Sequence, residues 1–456
     1  MTFSVKDRRV TVIGGGRSGL AAAALLVSRG AHVTLADTAS AIDGAKQLTD
    51  LGVTLALGPH APALLAGSDL IVLSPGVPPG QESIAAARRA GVPVIGEIEL
   101  ASRWILGRII AVTGTKGKST TTTLVARMLE RGGLRVTAGG NLGTALSAQV
   151  GLSTADTVHV VEVSSFQLET TDTFHPWVAV LLNLSPDHLD RHPSFEEYAA
   201  AKARVFANQT ASDWAIVNAD DPASMALARD ARARRLHFAL EAPLRDGVTV
   251  DNGLVVRREQ GATTPLFPVA LVKLPGRHLL SDVLAASAVA SVVGVKPAAM
   301  AQAVETFAGL EHALERVGEV SGVTFVNDSK ATNIAAAGRA IESFDDKVVV
   351  IMGGRFKGGR FDDLREAIRT RADAVVAIGE AARLIHSAFA GVAPIHDAHS
   401  MAEAVRVGFA LARPGGVVLL APACSSFDMF RDYAERGTAF KHEVRRLAMD
   451  LSAERH

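Results

Sequence analysis

Short apolar runs that close in a glycine or polar loop and hand over to a helical pattern recur along the whole chain, and this recurrence constrains the fold most. RRVTVIGG reads as a buried strand, AAAALLVSRG as a helix closed by Gly30, and AHVTLAD, DLIVLSPG and GVPVIGE as further strands. Strands separated by helical patterns of roughly 10–15 residues indicate βαβ units on a parallel sheet. The pattern restarts twice. The second stretch holds RIIAVTGTKGKST, VHVVEVSSFQLE, WVAVLLNLSPDHLD and DWAIVNADD; the third holds GVTFVNDSKATN, DKVVVIMGGRFKGG, ADAVVAIGE and GGVVLLAPACSS. The expected fold is α/β in three domains, 1–97, 98–307 and 308–456, each a mostly parallel sheet with flanking helices. About 236–274 is short-stranded and turn-rich, and reads as an antiparallel appendage. HLLSDVLAASAVASVVG is a long Ala-rich helix, and the charged helix TAFKHEVRRLAMDLSAE closes the third stretch.

Composition narrows the function. The 47 basic and 47 acidic side chains give a net charge of zero, which argues against broad phosphate neutralisation on a nucleic acid. With 48% apolar and 21% charged residues the chain is globular. One cysteine, Cys424, excludes an internal disulfide and a Cys-rich metal site. MTFSVKDRRVTVIGGG has no apolar signal core, and no apolar run reaches the roughly 18 residues of a membrane helix. A cytoplasmic protein without a membrane or nucleic-acid partner is expected. The 41 glycines mark many tight turns, so their location matters.

Two of the glycine loops carry phosphate chemistry. Gly14-Gly15-Gly16-Arg17-Ser18-Gly19 follows a strand, opens a helix, and precedes Asp37 by 18 residues, which is the dinucleotide-binding fingerprint. Gly14 permits the tight turn, and Gly16 lets a diphosphate approach the amides of the helix N-terminus. Alone, this loop suggests an NAD-dependent oxidoreductase, another diphosphate nucleotide, or a turn without ligand. Thr113-Gly114-Thr115-Lys116-Gly117-Lys118-Ser119-Thr120 ends in G-K-S, with Val112 where the first glycine of the full triphosphate motif would stand. In such a loop amides wrap the phosphates, Lys118 reaches the β- and γ-phosphates, and the Ser119 hydroxyl can ligate Mg²⁺. A hydride-transfer enzyme has no use for a triphosphate loop.

Behind it, Glu162 ends the strand VHVVE, where Mg²⁺-organising carboxylates sit in triphosphate enzymes. Ser164 or Ser165 equally suits a helix cap, with Gln167 or Glu169 as first-turn residues. Asp187-His188-Leu189-Asp190 puts two carboxylates and an imidazole in one turn after a strand. By itself His188 reads as a surface histidine; its place in the same unit as the phosphate loop turns the reading towards a metal ligand. Lys202, in YAAAKARVF, reads as a solvated helix lysine.

TGTKGKST, VEVSSFQLE, NLSPDHLDRH with a following lysine, LPGRH, VNDSKATN and PACSSFD stand here in the order found in the Mur ligases, which this chain resembles over nearly its whole length. The pair VNDSKATN and PACSSFD resembles the glutamate-adding type. The resemblance implies an ATP-dependent amide ligase that adds D-glutamate to UDP-N-acetylmuramoyl-L-alanine through an acyl phosphate, with ATP and Mg²⁺. UDP-substrate residues would be Gly14, Gly16, Ser18, Asp37, Thr38, Ser74, Pro75, Gly76, Asn141 and Ser164. ATP residues would be Gly114, Thr115, Lys116, Gly117, Lys118, Ser119, Thr120, Asp282, His312, Asp328 and Lys330. Lys118, Glu162, His188 and Lys202 would be catalytic, with Ser119, Glu162, His188 and Lys202 (as a carbamate) at the metal. Thr332, Lys357, Ser426 and Tyr433 would hold glutamate. Lys116, Leu279, Asp282 and Ala313 depart from the family pattern, and the Arg-rich loop GGRFKGGRF leaves L-glutamate open as acceptor. The partners implied are small molecules, with a monomeric chain. A folate- or peptide-glutamylating ligase would share the second loop but not need the first.

Overall fold

The computed structural model describes residues 3–59, 63–188, 191–273, 277–344, 348–356, 358–412 and 415–453. It is α/β, with three sheets flanked by helices. The first contains β1 (Arg9–Ile13), β2 (His32–Asp37), β3 (Thr54–Leu57), β4 (Leu70–Leu73) and β5 (Val94–Gly96), ordered β3-β2-β1-β4-β5. All its pairings are parallel.

The second sheet holds β6 (Arg108–Thr113), β7 (Arg135–Gly140), β8 (Thr157–Glu162), β9 (Val178–Leu181), β10 (Trp214–Asn218), β11 (Arg234–Phe238), β12 (Gly247–Asp251), β13 (Leu254–Glu259) and β14 (Ala262–Pro268). Their order is β14-β13-β12-β11-β10-β9-β6-β8-β7. The turn-rich stretch is antiparallel at β12–β14, as expected, but it extends the second sheet. Its first strand, β11, pairs parallel with β10, and β12 continues the ladder at Phe238↔Val248. Only β12–β13 and β13–β14 are antiparallel. The third sheet holds β15 (Glu315–Val320), β16 (Val323–Asn327), β17 (Val348–Gly353), β18 (Ala372–Ile378), β19 (Ile395–Ala398) and β20 (Val417–Leu420), ordered β15-β16-β20-β17-β18-β19. It is parallel except for the β15–β16 pair.

Parallel strands covered on both faces should be apolar throughout. β8 (TVHVVE) and β17 (VVVIMG) are buried at every position. The one imidazole in β8 is satisfied rather than solvated. Ser153 Oγ accepts from the amides of Leu106 (2.9 Å) and Gly107 (3.2 Å), so its hydroxyl proton goes to His159 Nε2 at 2.8 Å. His159 Nδ1 then donates to Thr137 Oγ1 at 2.8 Å. Burial holds this imidazole down to a pKa of about 4, so it is neutral.

Contacts divide the chain into two compact units, Met1–Phe307 and Ala308–His456, the first containing two sheets. Glu99 is one tie within it. Its buried carboxylate accepts from the amides of Asp172, Thr173 and Phe174, the Thr173 hydroxyl, and Arg103. Burial alone would raise its pKa; these hydrogen bonds outweigh burial and lower it. Strand order changes direction at β1/β4, around β6, and at β17/β20, and ligands of open α/β sheets bind outside the carboxyl ends of strands at such points.

Candidate active site

A crevice of about 490 Å³ opens beyond β1 and β4. Gly14, Gly16, Ser18, Asp37, Thr38, Ser74, Pro75 and Gly76 line it, together with Asn141 from beyond β7. The third glycine of the fingerprint is a packing necessity: a Cβ on Gly19 would lie 1.8 Å from the Gly14 carbonyl oxygen. Asp37 Oδ2 accepts from the Gly15 amide (2.6 Å) and so braces the glycine loop, while Oδ1 accepts from the Ala39 amide (2.8 Å) in its own turn. Ser164 does not line this crevice. It caps the helix Ser165–Leu168, its hydroxyl accepting from the Gln167 amide while the Gln167 side chain accepts from the Ser164 amide. Gln167, which sequence reads as an ordinary first-turn residue, is on the crevice wall, as are Arg17 and Val77. Arg17 Nη1 donates to the Gly143 carbonyl at 3.2 Å.

The second loop joins β6 to the helix Lys118–Arg131. Gly114 (φ +147) and Gly117 (φ +80) take conformations that L side chains resist, and a Cβ on Gly117 would lie 2.0 Å from Asp282 Oδ1. Lys118 Nζ donates to the carbonyls of Gly114 (3.0 Å) and Thr115 (2.9 Å). Lys116 exchanges hydrogen bonds with the Asn183 side chain. Thr115 Oγ1 meets Tyr198 OH at 2.9 Å, and burial pushes that phenol up to about 12. Thr120 continues the helix. Asp282 is buried, which raises its carboxyl well above the usual range despite Thr121 and Lys118 nearby, and it stands against Gly117.

Ser119 Oγ donates to Glu162 Oε2 at 2.6 Å, and Asn141 Nδ2 donates to Glu162 Oε1 at 2.7 Å. The expected crevice residue Asn141 and the expected phosphate-loop residue Ser119 thus share one carboxylate. A hydroxyl and a carboxylate are hard oxygen donors of the kind Mg²⁺ takes. Lys202 corrects its solvated-lysine reading. It is 2% exposed, its Nζ donates to the Gly114 carbonyl at 2.8 Å, and it lies 4.7 Å over the Tyr198 ring. Burial first, then the Lys118 cation, lowers its pKa to about 7. His188 has φ +54 and a half-exposed ring, edge-on to Phe166 at 4.9 Å and 3.9 Å from Asp187. Asp190 lies outside the described residues. Among the described residues no three His, Cys, Asp or Glu side chains gather into a metal-holding group. The donor set at the phosphate loop is one carboxylate, one hydroxyl and a buried amine, which fits the cation once the amine becomes an anion.

In the C-terminal unit, the loops after β16 and β20 are stitched together by Ala423 N to Ala331 O at 2.9 Å. The buried Arg436 donates to Ser329 Oγ, Ser329 O and Cys424 O. Thr332 and the buried Ser426 stand on these two loops, and the partly exposed Tyr433 opens the helix Tyr433–Ala453. Asp328 is buried, which raises its carboxyl to about 6, and it accepts from the Leu314 amide. The Lys330 amide donates to the His312 carbonyl. His312 is turned inward, its Nδ1 2.9 Å from Asn327 Nδ2, and Cys424 is fully buried. Lys357 lies outside the described residues. Tyr198 and Arg436 carry no motif that sets them apart in the sequence, and Asn183, which opens NLSPDHLDRH, is not singled out there as a partner of the phosphate loop.

Three domain models of one family match this chain: the MurD-like N-terminal domain of Mur ligases at residues 8–96, the Mur ligase middle domain at 112–290, and the Mur ligase glutamate ligase domain at 314–424. The UDP-N-acetylmuramoylalanine–D-glutamate ligase of Acidobacterium capsulatum is 45% identical, over 97% of each chain. The enzymes of the same name from Pelotomaculum thermopropionicum and Koribacter versatilis are 44% and 42% identical, over 96% and 98% of this chain and 97% and 99% of theirs. Among solved structures, the UDP-N-acetylmuramate–alanine ligase of Thermotoga maritima superposes with a TM-score of 0.59 at 19% identity, covering 96% of this chain and 99% of that one. A pseudomurein peptide ligase of Methanothermus fervidus gives 0.56 at 16%, covering 97% and 100%. These two likenesses concern the fold.

Proposed function

The chain belongs to the Mur ligase family, and on that premise we propose that it joins D-glutamate to UDP-N-acetylmuramoyl-L-alanine with ATP, a step in peptidoglycan precursor synthesis. The observation that carries this reading is the shared carboxylate: Asn141 on the crevice and Ser119 on the phosphate loop both bond Glu162. That arrangement suits a reaction whose UDP substrate and triphosphate meet, and it has no counterpart in hydride transfer. We assign 1–97 to the UDP substrate, 98–307 to ATP and 308–456 to glutamate.

In this reading the substrate carboxylate takes the γ-phosphoryl group of ATP, the glutamate amine attacks the acyl phosphate, and phosphate leaves. Lys118 lies on the phosphate loop, where its ammonium stabilises charge developing on the transferred group. Mg²⁺, when held by Ser119, Glu162, His188 and Lys202, would neutralise phosphate charge. An ammonium cannot ligate a cation. With its pKa lowered to about 7, Lys202 is substantially a neutral amine near neutrality, able to attack CO₂ and, on losing a proton, become a carbamate anion with two oxygen ligands. Asn141 holds Glu162 in place from the opposite side to Ser119. We assign Gly114 to Thr120 to the phosphates, and Asp282, His312, Asp328 and Lys330 also to ATP. Thr332, Ser426 and Tyr433, with Lys357, hold the acceptor, whose second carboxylate suits a lysine and hydroxyl donors. We take the protein to act as a monomer in the cytoplasm.

Phosphate release from ATP, measured with UDP-N-acetylmuramoyl-L-alanine and each glutamate enantiomer in turn, tests the function. Release with D-glutamate is expected. Release with L-glutamate alone would change the acceptor, and release with neither would remove the proposed reaction.

A further inference from the structure

His188 is held in a left-handed backbone conformation, uncommon for a side chain with a Cβ, so neighbouring groups must hold it there. Its carbonyl accepts from the amides of Arg191 (3.0 Å) and His192 (2.9 Å). Both of those side chains end on one carboxylate: Arg191 Nη2 lies 3.2 Å from Glu169 Oε2, and His192 Nδ1 lies 3.2 Å from Glu169 Oε1. Glu169 closes the short helix whose Gln167 is on the crevice wall.

Arg191 reaches further. Its Nη2 also donates to the Val77 carbonyl at 3.2 Å, and Val77 belongs to the crevice wall just past Ser74-Pro75-Gly76. The guanidinium carbon lies 4.7 Å over the Phe166 ring, and that ring packs at a steep angle against the His188 imidazole, 61° between planes. One largely buried, flat cation therefore touches the crevice wall, the anchor of the strained turn, and the ring against which His188 packs. The two protons of Nη2 serve Glu169 and Val77 while the flat guanidinium lies on the Phe166 ring, a combination of directed donors and stacking that an ammonium on a flexible stem reproduces poorly.

We propose that Arg191 is a positioning residue that ties the crevice wall at Val77 to the setting of His188, so that the UDP substrate seated in the crevice fixes the imidazole for phosphoryl transfer. This rests on the reading above that His188 works at the phosphate site. Arg191 touches no reacting atom. It acts through Phe166 and Glu169, so its loss should slow turnover while the crevice keeps its own lining.

The test is steady-state kinetics of phosphate release by the full chain, with the melting temperature measured alongside. Arg191→Ala is expected to lower kcat about tenfold or more, the scale of a small misplacement at a reacting centre. KM for UDP-N-acetylmuramoyl-L-alanine should stay within about twofold, since crevice binding is not removed. Arg191→Lys should keep most of the loss, and if the alanine variant fails to fold, the lysine variant carries the same comparison. Phe166→Leu should lower kcat in the same direction. An unchanged kcat in a folded Arg191 variant overturns the proposal, as does a raised KM with kcat intact, which would make Arg191 a wall residue alone. A wild-type chain that does not turn over fails the proposed function instead, which separates the two outcomes.

Discussion

Lys202 sits in a stretch whose composition describes a solvated helix face, yet the folded chain buries it against the Gly114 carbonyl. Lys202→Ala should lose most activity, by about a hundredfold or more if a metal ligand is lost. Short carboxylates such as formate or acetate should partly restore it. Full activity without rescue would remove the carbamate. His159 gives a pH prediction of the opposite kind, about stability. Its folded pKa of about 4 lies below the unfolded value near 6.5, so between these the unfolded state binds more protons. This contribution is present above pH 6.5 and is lost as pH falls towards 4. Urea unfolding at pH 7 and pH 4.5 should show wild type losing roughly 2–3 kcal/mol more than His159→Gln. Equal losses would mean the imidazole is not held neutral.

At the scale of elements, the glycine loop on β6 depends on backbone that side chains resist. Gly117→Ala would combine a positive φ with a Cβ driven onto Asp282. ATP affinity should fall by about tenfold or more while UDP binding in the crevice stays unchanged, both read by calorimetric titration. Unaltered ATP affinity would show that the loop relaxes without cost to its ligand. Most strands were legible because parallel strands are short apolar runs, as in VVVIMG. The edge of the second sheet was less so. Turn residues around 241–247 and 252–253 announce separate hairpins, but local sequence does not say that Val248 pairs parallel with Phe238 and extends an existing sheet.

For the molecule as a whole, residues 1–307 form one compact unit although they hold two sheets. A ligand that binds only the folded form should stabilise by about 2.7 kcal/mol at a hundredfold excess over its Kd. UDP should therefore raise the melting temperature of the full chain, and NADH should neither raise it nor change its fluorescence on addition. A shift with NADH and none with UDP would reverse the reading of the first glycine loop.

The sequence by itself determined the α/β class and the two glycine loops, because each depends on residues close together in the chain: a strand, a glycine that permits the turn, a helix N-terminus. Tertiary structure alone decided what those loops share. Glu162 joins Asn141 to Ser119, Lys202 becomes a buried amine, and Ser164 is a cap while Gln167 turns to the crevice. Arg191 reaches Val77 across 114 positions of sequence. Burial and long-range pairing set those properties. They arise when distant strands pack side by side, and no local pattern of residue types encodes them.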